Sequence, residues 1–235
     1  MATIEDGVVA AVIFDLDDVL IDSEAVWERV RREYVESAGG SWRADSQRVM
    51  MGMSTREWST YLSRELGVGR PPEEVAAEVV SRVAAAYGDR PPLLPGAVRA
   101  VRSLAEFYAL GVASSSPRQL IGVVLKAAGL ADAFSAVVST EEVARGKPAP
   151  DVYLEAARRL ELEPGRCAAV EDSSNGLRAA AAAGMRVIAI PNRRYPPDPD
   201  ALALADLTLP DLTALSPEVV RRLGAGTSAR GRDSG

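Results

Sequence analysis

The chain has 235 residues, 47% apolar and 26% charged, with a formal net charge of −6. That composition supplies enough apolar material for a sizeable core, the acidic balance argues against a sequence-independent grip on nucleic acid, and no run approaches the roughly 18 to 20 apolar residues that span a bilayer. Histidine is absent, which removes Ser-His-Asp hydrolases, Cys-His proteases and histidine-ligated zinc, leaving acid–base work near neutral pH to carboxylates, Lys, Tyr or water.

Met1–Asp6 is acidic and lacks the basic region of a signal peptide. Val8–Phe14 is a continuous apolar run rich in β-branched residues, suited to a central parallel strand covered on both faces. It stops at Asp15-Leu16-Asp17-Asp18. From Ser23 to about Tyr87 the periodicity becomes helical: Val26, Val30 and Tyr34 recur every four residues, and Pro72–Tyr87 holds a second such stretch. Trp27, Trp42 and Trp58 all fall here, which predicts an all-helical insert with its own small core. The prolines of 91–95 mark a return linker. Helix and strand then alternate: a helix over 96–107, a strand ending near Ser114, a helix over 117–128 and a short strand over 136–138. A helix over 150–160, a strand over 167–170, an Ala-rich helix from Ser174 to Gly184 and a strand over 186–190 follow. This order predicts right-handed βαβ units. The fold class is therefore α/β: a doubly wound, Rossmann-like parallel sheet core with a small helical cap domain inserted after strand 1. The boundaries read as 1–22 with 92–224 for the core and 23–91 for the cap. Residues 192–199 read as a proline-rich loop and 225–235 as a disordered tail. Cys167 stands alone, so no disulfide framework exists and a reducing cytoplasm is the expected compartment.

Ligands of open α/β sheets collect beyond the carboxyl ends of the strands. There the sequence places Asp15 and Asp17, then Ser114, Ser115 and Ser116, then Lys147 in Gly146-Lys147-Pro148, then Glu171 and Asp172. Carboxylates about 4 Å apart repel by roughly 4 kcal/mol at an effective dielectric near 20, so such a cluster calls for a cation. Oxygen ligands without His or Cys select Mg²⁺. Lys147 and the serine hydroxyls complement a phosphate dianion, with help from helix N-termini. Each segment alone has an ordinary reading: Asp-x-Asp as a turn, Ser114–Ser116 as a helix cap with Pro117 at the first helical position, Lys147 as a solvated loop residue. Their order and complementary chemistry favour a joint site.

These segments, Phe14–Leu20, Ala113–Ser116, Gly146–Asp151 and Val170–Gly176, resemble the haloacid dehalogenase-like hydrolase superfamily, in its subgroup with a helical cap after strand 1. The resemblance covers about 8–223. It implies that Asp15 is a nucleophile forming an aspartyl phosphate. It makes Asp17 the acid–base residue, whose backbone carbonyl also ligates Mg²⁺. It further implies that Ser114 binds the transferring phosphoryl group, that Lys147 neutralises it and orients Asp15, and that Asp172, with Glu171 direct or through water, completes the metal site. Ser116 and Arg118 are further phosphate candidates. Position 18 is often glycine in this subgroup, and Asp18 is a tolerated departure. In the cap, Arg56 is a candidate substrate contact, with a solvated helical arginine as its alternative reading.

The implied partner is a small phosphorylated metabolite such as a sugar phosphate, with no nucleic acid or membrane partner. The expected state is a monomer, with a dimer as the alternative. A β-phosphoglucomutase-like transferase shares the core motifs, but such mutases carry a cap histidine near the position of Trp27. Its lack favours hydrolysis. A catalytically silent interaction protein is the reading from another class, and it would predict loss of the nucleophile, the lysine or a metal carboxylate.

Overall fold

A computed structural model of the chain describes residues 8–50, 53–88 and 90–225. The expectations for Met1–Asp6 and for a tail over 226–235 lie outside these residues.

The core is a six-stranded parallel sheet. Its strands are β1 (Ala11–Phe14), β2 (Ala109–Ser114), β3 (Ala136–Ser139), β4 (Cys167–Glu171), β5 (Arg186–Ala189) and β6 (Leu207–Thr208), in spatial order β3-β2-β1-β4-β5-β6. The chain runs outward from β1 through β2 to β3, then crosses back to β4 and runs the other way. The order therefore reverses at β1 and β4, where a doubly wound sheet opens a crevice.

Strand β1 is fully buried on both faces, as its unbroken apolar run requires. Val12 and Phe14 face one layer with α5 (Ala97–Ala105) and α6 (Arg118–Ala127). Ala11 and Ile13 face the other, with α7 (Asp151–Arg159) and α8 (Ser174–Ala182). The α7 and α8 layer is built largely from alanine, which lets helices lie close to the sheet.

Between β1 and α5 lie α1 (Glu24–Ser37), α2 (Ser46–Met50), α3 (Thr55–Arg64) and α4 (Pro72–Tyr87). Trp27, Val30 and Tyr34 form the buried stripe of α1, and Val75, Val79, Val83 and Tyr87 that of α4. Trp27 and Trp58 meet edge to face at 5.8 Å. Ser54 closes a capping box with Glu57 at the start of α3. The insert's apolar core is not separate, as expected from sequence, but continuous with the α5 and α6 layer, because α4 also packs on α6. The chain enters and leaves this insert side by side: Asp22 N–H donates to Pro92 O at 2.7 Å, and Ile21 bridges Leu93.

Three elements had no counterpart in the sequence reading: α9 (Pro199–Leu202), the two-residue β6, and α10 (Pro217–Ala225). The first two are too short for periodicity to register. The last extends to Ala225, one residue into the expected tail. Among the described residues no helix is long and apolar enough to cross a membrane.

Candidate active site

Asp15 is the residue after β1, and its backbone N–H extends the ladder to Val170 O at 3.0 Å. Parallel pairing with β4 thereby sets Asp15 beside Glu171, the last residue of that strand, with Asp172 next in the chain. Lys147 reaches in from the loop after β3. Its Nζ donates to Asp15 Oδ1 at 2.8 Å and to Glu171 Oε1 at 2.6 Å, and all three side chains are buried.

Glu171 has both oxygens occupied. Oε1 also accepts from the Tyr153 hydroxyl at 2.7 Å, and Oε2 from Asp172 N–H at 3.1 Å and Ser173 Oγ at 3.2 Å. It acts here as the buried anion that fixes Lys147. Ser173 also caps α8, accepting from Gly176 N–H at 3.2 Å.

The serine run behaves differently from a helix cap. Pro117 precedes α6 rather than opening it, and no side chain caps that helix. The hydroxyls turn inward instead: Ser116 Oγ donates to Asp17 Oδ2 at 2.7 Å and Ser114 Oγ to the same atom at 3.3 Å. Ser114 is fully buried at the end of β2, whereas Ser115 and Ser116 line the cavity above.

Asp18 adopts a left-handed backbone with φ 56°, a conformation open to glycine and, less readily, to Asp and Asn. Its carboxylate accepts from Ser23 N–H at 3.1 Å and from Asn192 Nδ2 at 2.9 Å, tying the start of the insert to the loop after β5.

Four carboxylates, Asp15, Asp17, Glu171 and Asp172, share this crevice with one ammonium. Burial pushes Asp15 up to about 8; Lys147 opposes this, and Glu171 and Asp17 reinforce it. Burial, followed by Glu171 and Asp15, holds Asp172 well above the usual carboxylate range. Burial pulls Lys147 down, but Asp15 and Glu171 outweigh it and raise it. The site thus carries excess negative charge that a cation would relieve. Carboxylate oxygens of Asp15, Glu171 and Asp172 lie within 4.8 Å of one another, and Asp17 Oδ1 is buried without a partner among the described residues. Three buried carboxylates with no nitrogen or sulfur donor among them fit Mg²⁺.

Above the carboxylates lies a cavity of about 620 Å³, within the range of small-molecule sites. The insert contributes Glu24, Trp27, Arg31, Arg48 and Trp58 to its lining, and the loop after β5 contributes Arg194 and Tyr195. Neither arginine expected from the sequence lines it. Arg56 is exposed on the first turn of α3, whose cavity residue is Trp58. Arg118 is exposed on α6 and pairs with Glu142 at 3.7 Å. Arg31 and Tyr153 had escaped notice. The one signal for Arg31 is its place four residues after Trp27 on the buried stripe of α1, and for Tyr153 its place one turn into the helix after Lys147.

A family model for haloacid dehalogenase-like hydrolases matches residues 9–184. Hexitol phosphatase B of Escherichia coli K12 is 36% identical over 214 residues, covering 88% of this chain and 95% of that protein. The phosphate complex of CbbY from Rhodobacter sphaeroides superposes with a TM-score of 0.79 at 26% identity, covering 91% of this chain and 99% of that one. β-Phosphoglucomutase from Clostridium difficile shares the fold, with a TM-score of 0.80 at 21% identity over 94% of this chain and all of the other. With its crevice at the strand-order reversal and a family match over most of its length, the chain belongs to the haloacid dehalogenase-like hydrolases.

Proposed function

We propose that this protein is a magnesium-dependent phosphatase of a small phosphorylated metabolite, a sugar phosphate or a similar ester, working through an aspartyl phosphate on Asp15. The observation that carries the reading is the pairing of Lys147 with Asp15 at 2.8 Å in a crevice with three further carboxylates. Kinship with hexitol phosphatase B supports the substrate class.

In this reading Lys147, together with a bound cation, holds Asp15 as a carboxylate and leaves Oδ2 to attack the phosphorus. As the new P–O bond forms, the ester P–O bond breaks, and Asp17 gives its proton to the departing oxygen. Asp17, now a carboxylate, takes a proton from the water that attacks phosphorus, which frees Asp15 and inorganic phosphate. Ser116 and Ser114 hold Asp17 Oδ2, so Asp17 faces the leaving group in a fixed rotamer. Lys147 and the serine loop take the charge of the phosphoryl group. Mg²⁺ would be held by Asp15, Asp172 and the backbone carbonyl of Asp17, and would supply further positive charge beside the phosphoryl oxygens. Glu171 acts through Lys147, since its own oxygens are taken. Residues 23–91 serve as the cap that sets specificity, and 1–22 with 92–224 as the catalytic core. A reducing cytoplasm suits the single buried Cys167.

A mutase is the competing reading. Hydrolysis is favoured because the chain contains no histidine and Trp27 lines the cavity. Incubation with β-glucose 1-phosphate, a bisphosphate primer and Mg²⁺ separates the two. Free phosphate is the expected product, and accumulation of glucose 6-phosphate would overturn the assignment.

A further inference from the structure

The wall that the insert gives to the cavity carries a second polar constellation. Arg31 is only 7% exposed, yet it lines the cavity. Its guanidinium is stacked 4.5 Å from the Trp27 ring centre and 4.9 Å from that of Trp58. Among the described residues its Nε has no partner. Glu24, two turns earlier on α1, lines the same cavity and accepts from Gln47 Nε2. Glu24 and Arg31 attract one another, but they form no direct ion pair among the described residues. Nε is itself inaccessible, so a ligand would meet the terminal nitrogens, and a buried guanidinium is costly unless those find partners.

The charge balance identifies the ligand. An anion brought to Arg31 would also face Glu24 and Asp17, the carboxylates that act on it, whereas none of the other cavity arginines, Arg48, Arg178 and Arg194, acts on it. A hydroxyl meets no such conflict: it accepts from Arg31 and donates to Glu24, while the C–H edges of its carbon chain lie against indole.

Resting on the phosphatase reading above, we propose that Glu24 and Arg31 form a subsite for the uncharged polyhydroxyl end of the substrate. The enzyme then selects polyol or sugar monophosphates over bisphosphates and over phosphate esters of carboxylic acids.

The test compares four probes with Mg²⁺ present: a hexitol 6-phosphate, hexyl phosphate, a hexose 1,6-bisphosphate and an aldonic acid 6-phosphate. Binding is measured by calorimetry on the Asp15→Asn protein, and phosphate release on the wild type. The hexitol ester should bind at least about 100-fold more tightly than hexyl phosphate, since a site built for hydroxyls rejects their absence strongly. Adding Glu24→Gln or Arg31→Met should each cut that ratio at least about tenfold, the expected loss for a bond to a charged group. Glu24→Gln is isosteric and carries the test should Arg31→Met fail to fold. Preference for the bisphosphate or the acid ester, or a ratio unmoved in the folded variants, would overturn the subsite. Selective binding without phosphate release would sink the phosphatase reading and keep the subsite; release without selectivity would do the reverse.

Discussion

Tyr153 and Glu171 are joined by a buried hydrogen bond of 2.7 Å, in which the phenol donates to the oxygen that also takes Lys147. The Lys147 ammonium sits 5.1 Å from the Tyr153 ring centre, so the same side chain steadies both partners. Tyr153→Phe keeps the ring and removes the donor. Loss of a bond to a charged acceptor should cost roughly 1.5–3 kcal/mol of stability. On the proposed function Tyr153 supports the residues around the metal, so its loss should also lower kcat by about 10- to 100-fold while KM changes less. Steady-state kinetics beside thermal unfolding check this. An unchanged kcat would show that Lys147 is positioned without Tyr153.

Gly176 makes the packing beneath Glu171 possible. A Cβ there would stand 1.9 Å from the Glu171 Cδ and Oε2. Glu171 cannot retreat, because Lys147, Tyr153, Ser173 and the Asp172 N–H all hold it. Gly176→Ala should therefore destabilise the protein by about 1–3 kcal/mol, the usual cost of overpacking. It should impair activity more than that loss explains, since Lys147 moves with Glu171. Wild-type kinetics and melting temperature in this variant would contradict the packing described.

On the proposed function, protons and magnesium would compete for the same carboxylates. Asp15 is pushed up to about 8 from an ordinary 3.8 by burial, with Asp172 displaced in the same direction. Between those values the folded metal-free protein keeps a proton that the unfolded chain has released. Its stability is then greatest in acid and falls as the pH rises toward 8. Glu155, drawn down to about 2 by Arg158 and Arg159, titrates below this window, and no histidine titrates within it. The melting temperature in EDTA should fall from pH 5 to pH 8, and the rise on adding Mg²⁺ should be larger at pH 8. Asp15→Asn should flatten part of the slope. A metal-free melting temperature that is level or climbing over this range would contradict the account.

Much of this was legible in the residues because strand ends are punctuated. The apolar run to Phe14 stops at Asp15, and parallel register then dictates that Glu171 stands alongside. Lys147 and the serine run were recoverable from order and chemistry for the same reason. The cavity wall was not. Arg31 differs in sequence from any helical arginine only by lying on the apolar stripe of α1, and whether such a residue snorkels or stays buried depends on Trp58, a helix away. Arg56, beside that tryptophan in sequence, points to solvent because the face of α3 is fixed by Trp58 and Leu62. The two serine hydroxyls on Asp17 were likewise hidden, since a Ser-Pro step before a helix reads as a cap until the loop's turn is seen.

The most direct measurement of the central claim is mass spectrometry of protein acid-quenched within a single turnover of a phosphate monoester in Mg²⁺. The account predicts a phosphoryl group on the peptide bearing Asp15, absent from Asp15→Asn, which stays folded but releases no phosphate. Full turnover by Asp15→Asn, or a phosphoryl group found on another residue, would contradict it.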